Sequence, residues 1–134
     1  MSLITFLYSY FYNRGVIRKR ETINAYIDLQ EYLYCIYEYP DNGIEDFVDD
    51  RNSDEYKKLS ACIAHIEMFA VGVKHKVYDF RTVYELSHGF LDMSLREPIE
   101  YILEMKSKRN TQEDFYEGIH WLFSEMDKCS VKTK

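Results

Sequence analysis

Two Glu-x-x-His pairs give the most direct chemical reading in this chain: Glu85 with His88, and Glu117 with His120. In di-iron and di-manganese bundles, two such pairs and one glutamate from each of two further helices surround the metals. The order fits, with Glu67 ahead of the first pair and Glu97, Glu100 and Glu104 between the two. A metal-dependent oxidase is therefore one reading of the chain. Helical geometry argues against it. Measured from Phe115 at about 100° per residue, Glu117 falls at about 200° and His120 at about 140°, off the stripe of Ile119, Leu122, Phe123 and Met126. Measured from Phe80, His88 falls at about 80° and Glu85 at about 140°, at and beyond the border of the apolar side. Metals need inward-projecting ligands, so neither a metal nor another cofactor is expected.

Nucleophilic chemistry fares no better. Cys62 and His65 stand three apart, but Cys62 falls in an apolar stripe with no cation placed to lower its pKa, and reads as a packed thiol. Cys35, Cys62 and Cys129 are odd in number and lack CxxC spacing, which suggests neither a disulfide framework nor a zinc site and suits a reducing cytoplasm. There is no GxGxxG, P-loop, HExxH, GxSxG or calcium loop. No catalytic residue is expected.

Two surfaces suggest binding instead. Between Glu38 and Glu55 stand eight acidic residues against Arg51 alone, so the stretch carries −7 and the remainder of the chain +1. Glu45, Asp46, Asp49, Asp50 and Asp54 are its candidate contacts, a negative patch able to dock on a basic partner or imitate a phosphate backbone. The second surface is the run from Leu3 to Tyr12, where Phe6, Tyr8, Tyr10 and Tyr12 offer broad contact area with polar handles. As a helix it is about 15 Å long, roughly half the hydrocarbon thickness, and cannot span a bilayer alone. Arg14, Arg18, Lys19 and Arg20 follow it, a pattern that also suits a bilayer surface. Its ordinary reading is a helix packed on the core. Direct nucleic-acid binding is not expected, because one small basic cluster on an acidic chain gives weak phosphate affinity.

The elements that must position these residues are helical. The 134 residues carry a net charge of −6 with 46% hydrophobic residues, enough for one domain with one core, and five glycines and two prolines leave little room for a turn-rich β fold. Asn13-Arg14-Gly15 reads as a break after the first run. A long amphipathic helix follows from Ile17 to Tyr39, with Ile23, Tyr26, Ile27, Leu33, Ile36 and Tyr37 on its apolar side, and Pro40 ends it. A second starts near Ser53 as N-cap and buries Leu59, Cys62, Ile63, Ile66, Phe69, Ala70 and Val73, closing at Lys74-His75-Lys76. Asp79 caps a short helix through Val83, Tyr84 and Leu86 that stops at Gly89. Residues 90–108 continue as a helix that Pro98 kinks or truly starts. The last runs from Thr111, capped with Asp114, to Lys128. The expected fold is an all-α, single-domain bundle of five or six helices over residues 1–134, with residues 1–15 packed on it or flanking it.

The segment 65–80, then Val83-Tyr-Glu-Leu-Ser-His-Gly-Phe90, then Pro98-Ile99 and the aromatic positions around Trp121, resembles an uncharacterised bacterial family of small helical domains known as a domain of unknown function. The resemblance covers roughly residues 17 to 127. It implies the helical fold, and in many members a membrane-spanning helix ahead of the domain, where this chain has the short run at residues 3–12. It carries no activity over. Physically, Gly72 suits a close helix approach and Gly89 a left-handed helix end.

Taken together, these residues describe a non-enzymatic protein-interaction module presenting an acidic and aromatic surface. A sharper version is a small acidic inhibitor, from a phage or mobile element, that blocks a basic groove of a nucleic-acid enzyme. Homodimerisation through the N-terminal aromatics and contact with a membrane surface are compatible with either.

Overall fold

The computed structural model describes residues 2–38, 54–109 and 116–132. All regular structure among them is helical, in four continuous helices rather than the expected five or six. Helix α1 is Leu3–Tyr37, α2 is Asp54–Lys74, and α4 is Glu117–Lys132. Helix α3 covers residues 80–109 without a break, as α-helix at Phe80–Ser87, π-helix at His88–Leu95 and α-helix again at Arg96–Arg109.

Two expected breaks are absent, and both lie at glycine. Gly15 sits inside α1, where one glycine costs about 1 kcal/mol against alanine, too little to end a helix with good formers on both sides. Gly89 lies inside α3, and no described glycine has a positive φ, so the expected left-handed stop does not form. Ser2 caps α1 by accepting from Thr5 N at 3.2 Å. Asp79 caps α3 as expected, accepting from Thr82 N at 3.0 Å. The expected caps at Ser53 and Thr111 lie outside the described residues.

The core-facing stripe of α1 is Thr22, Tyr26, Leu29, Leu33 and Ile36, alternating steps of four and three. Ile23, Ile27 and Tyr37, expected on it, are exposed, while Thr22 and Leu29 are buried in their place. Helix α2 buries all seven residues expected of it and packs against both α1 and α4, which makes it the centre of the bundle. It ends where Lys76 turns into the left-handed region at φ 63°, letting Lys76 N donate to Val73 O (3.1 Å) and Val77 N to Gly72 O (2.9 Å). Glycine is the usual residue there, and a side chain costs roughly 1 kcal/mol. Gly72 itself is needed for packing, because a Cβ would lie 2.6 Å from the Tyr78 ring.

Helix α3 buries Val83, Ser87, Leu91, Leu95, Ile99 and Leu103, a strict spacing of four. In an α-helix of 3.6 residues per turn such a stripe drifts by about 40° at each step. The wider π turns at its middle take back that drift and keep the stripe on one side. Pro98 then lies in the first turn after the π segment, within Arg96–Arg109.

Candidate interaction surface

Bundle and projecting helix meet at Thr22. Its hydroxyl is buried, donates to Arg18 O at 2.7 Å and accepts from Asp79 N at 2.8 Å, so the start of α3 is tied to α1 at this level. Helix α2 has already ended at Lys74 and α3 begins only at Phe80, so no described helix lies alongside the earlier turns of α1. Every residue from 2 to 17 is exposed, including Leu3 (73%), Ile4 (79%) and Tyr8 (72%). The expected packing of this run on the core is thereby corrected: its apolar residues are helical, but the neighbours that would cover them are too short.

The exposed turns are apolar on most sides. From Phe6 through Tyr10, Leu3, Leu7, Phe11, Ile4 and Tyr8 to Tyr12, the apolar arc covers about 240° of the helix, leaving one strip of Thr5, Ser9 and Asn13. The rings also contact each other, with Tyr8 and Tyr12 stacked at 6.3 Å and Tyr10 edge-on to Phe11 at 5.6 Å. Arg14 lies over the Tyr10 ring at 5.7 Å. Phe6, Tyr8, Tyr10 and Tyr12, named from sequence as contact residues, therefore share one exposed element.

At the root of this helix a groove of about 510 Å³ opens between α1 and the α2–α3 turn. Arg14 and Arg18 line it from α1, and Lys76 with Val77 from the turn. This site was missed in the sequence, where Lys74-His75-Lys76 reads as a cationic helix end. Lys74 does not join it, being paired with Glu117 at 2.6 Å.

The acidic surface is described only at its edge. Asp54 is exposed at the start of α2, where a negative charge suits the helix N-terminus; Glu45, Asp46, Asp49 and Asp50 lie outside the described residues.

The Glu-x-x-His residues have other partners. Glu85 pairs with Arg81 at 3.5 Å, and His88 stacks on Tyr84 with its Nδ1 3.6 Å from Asp92. Glu117 is held by Lys74, whose hydrogen bond lowers its pKa, and His120 is exposed. Glu67, the proposed additional ligand, accepts from Gly118 N at 2.8 Å and Ile119 N at 2.9 Å, so both its oxygens cap α4. Among the described residues no three His, Cys, Asp or Glu side chains are grouped to hold a metal ion. His65 stacks on Tyr32 at 3.8 Å, and burial, with a hydrogen bond to Cys35, pushes the Cys62 thiol up to about 12, which leaves it a poor nucleophile.

The densest charge cluster is structural. Arg96 donates to Asp92 and Glu100 at 3.0 Å each and to Asp127 at 2.7 Å, and lies 5.1 Å over the Phe123 ring, binding α3 to α4. Asp127, mainly through that hydrogen bond, is held below the usual carboxylate range.

No helix among the described residues is long and apolar enough to cross a membrane. No curated protein and no solved structure matches the chain. The family described as "Domain of unknown function (DUF4760)" matches residues 1–126, taking in the projecting turns that the resemblance over residues 17–127 left out, and the chain belongs to that family.

Proposed function

We propose that the chain is a non-enzymatic docking module, in which the four-helix bundle holds out the first turns of α1 as the element that meets a partner. One observation carries this reading: the aromatic and aliphatic side chains of residues 3–12 are exposed on a helix continuous with the core. Helices apolar on most sides are normally buried, and exposed apolar patches of this kind mark interaction surfaces. The bundle supplies rigidity, since Thr22 and Asp79 fix the helix where it leaves the core. The aromatic half of the expected surface thus has a geometry behind it. Neither the acidic-inhibitor reading nor the oxidase reading gains a specific observation from the described residues.

Covering of the helix is the property to test. A Tyr8→Cys variant labelled with a maleimide, and read by mass at residue 8, should react several-fold more slowly in extract of the cells that carry the gene than after purification. Equal rates would overturn the docking reading. The substitution lies outside the core, so the variant's Tm should match that of the parent.

A further inference from the structure

The groove at the root of α1 points to the chemistry of the partner. We propose that it binds the phosphate headgroup of an anionic lipid while the aromatic turns at residues 3–12 enter the headgroup and acyl boundary of the same leaflet. This deepens the docking reading and rests on it.

Charge complementarity is the first argument. On an acidic chain, the groove brings Arg14, Arg18 and Lys76 together from two separate elements, against Glu21 alone at the end nearer the bundle. Its floor is open at Gly15, where a Cβ would meet nothing within 4 Å. Arg18 Nε is buried and has no hydrogen-bond partner among the described residues, an unfavourable state for a guanidinium N–H that an anionic oxygen would relieve. Two guanidinium groups and an ammonium suit a phosphate, whose charge is spread over several acceptor oxygens.

Lys76 is the second argument. The turn that ends α2 asks for glycine at this position, and the chain carries a lysine there whose side chain lines the groove. A cation at this helix end suits the dipole, and the groove gives the Lys76 ammonium a use that a glycine could not serve.

The shape of the apolar surface suits a bilayer. A flat protein face covers one side of a helix, whereas the apolar arc here extends most of the way round it, as a fluid apolar phase can cover. The cations likewise go round the axis at the root, because Arg14 and Arg18 share one side while Lys19 and Arg20 fall about 100° and about 200° from Arg18. Tyrosines beside them suit the level of the headgroups. From Tyr8 to Arg14 the axial rise is about 9 Å, which lets rings sit in the boundary while cations stay at phosphate depth.

The test is co-sedimentation of the full chain with vesicles of phosphatidylcholine alone or mixed with phosphatidylglycerol, at low and high salt. Binding to the mixed vesicles, weakened by salt and by loss of the anionic lipid, is expected. Arg14→Gln with Arg18→Gln should lose several-fold more binding than Lys19→Gln with Arg20→Gln, which removes the same charge outside the groove. Lys76→Gly should lower binding while raising Tm, a split that a merely structural lysine would not give. Equal loss from the two charge pairs, or binding indifferent to Lys76→Gly, would overturn the groove as the headgroup site. Inorganic phosphate that shifts amide resonances around Arg18 without any vesicle binding would assign the groove to free phosphate instead. Salt-sensitive self-association by light scattering, again without vesicle binding, would assign it to the acidic stretch of a second copy. Absence of vesicle binding overturns this inference alone, because protection of residue 8 in extract reports on docking independently.

Discussion

The two halves of α1 share one backbone and a similar apolar content but have opposite fates. Beyond Thr22 the helix gives Tyr26, Leu29, Leu33 and Ile36 to the core, whereas before it Leu3, Phe6, Leu7 and Phe11 remain in the open. Side-chain hydrophobicity does not separate them. What differs is the length of the neighbours, since α2 stops at Lys74 and α3 starts at Phe80, level with Thr22. Burial is thus a property of the assembly, and an apolar helix without neighbours is a surface waiting for a partner.

The same substitution on either side of Thr22 should give the largest contrast. Leu33→Ala, at a side chain with 0% exposure, should cost about 2–5 kcal/mol in urea unfolding. Leu7→Ala, at 42% exposure, should stay within about 0.5 kcal/mol. A comparable loss at Leu7 would mean that the projecting turns pack on the bundle in solution, and the contrast would collapse.

The boundary itself comes next. Thr22→Val keeps the shape but removes the acceptor for Asp79 N, and should cost about 1–3 kcal/mol in the same assay, with Thr22→Ser recovering part of it. If the valine variant unfolds at the parent's urea midpoint, the hydroxyl is not what fixes the helix where it leaves the core.

A smaller effect of pH is expected at the same junction. Hydrogen bonds from Thr82, opposed by burial and aided by Arg18 and Lys19, hold the Asp79 carboxyl below its ordinary value. A depressed carboxylate pKa gives stability that is present above the unfolded value of about 4 and lost as pH falls through the folded one. Wild-type protein should therefore lose more stability than Asp79→Asn between about pH 6 and about pH 3, the asparagine retaining a cap without the charge. Parallel pH profiles would show that the charge contributes nothing to the junction.

Much of the bundle was legible in the sequence because it is local. The α2 stripe from Leu59 to Val73, the Asp79 cap, and Ile119, Leu122, Phe123 and Met126 on α4 follow from helical spacing and side-chain type. What was not legible depends on residues far apart in the chain. Glu67 caps a helix some fifty positions away, and no local pattern announces it. The groove needs Lys76 brought beside Arg14 and Arg18, which only the packing of α2 on α1 achieves. Ile23 and Ile27 looked better than Thr22 and Leu29 for the α1 stripe, but placement of α2 and α3 decides which side is covered. The continuity of α1 through Gly15 was misread because a glycine costs less than a helix end. One signal was present and unread: a period of four from Val83 to Leu103, too long for an α-helix and too short for an all-π one.

That period makes the middle of α3 a segment of fixed count. Deleting one residue between His88 and Leu95, with the backbone path kept, would hand the core positions of Ile99 and Leu103 to Glu100 and Glu104. Inserting one would hand them to Pro98 and Ile102. The π turns are therefore a length constraint written into the gene: substitutions on their outer side are tolerable, while a single-codon insertion or deletion turns the whole C-terminal half of the helix about 100° out of its place.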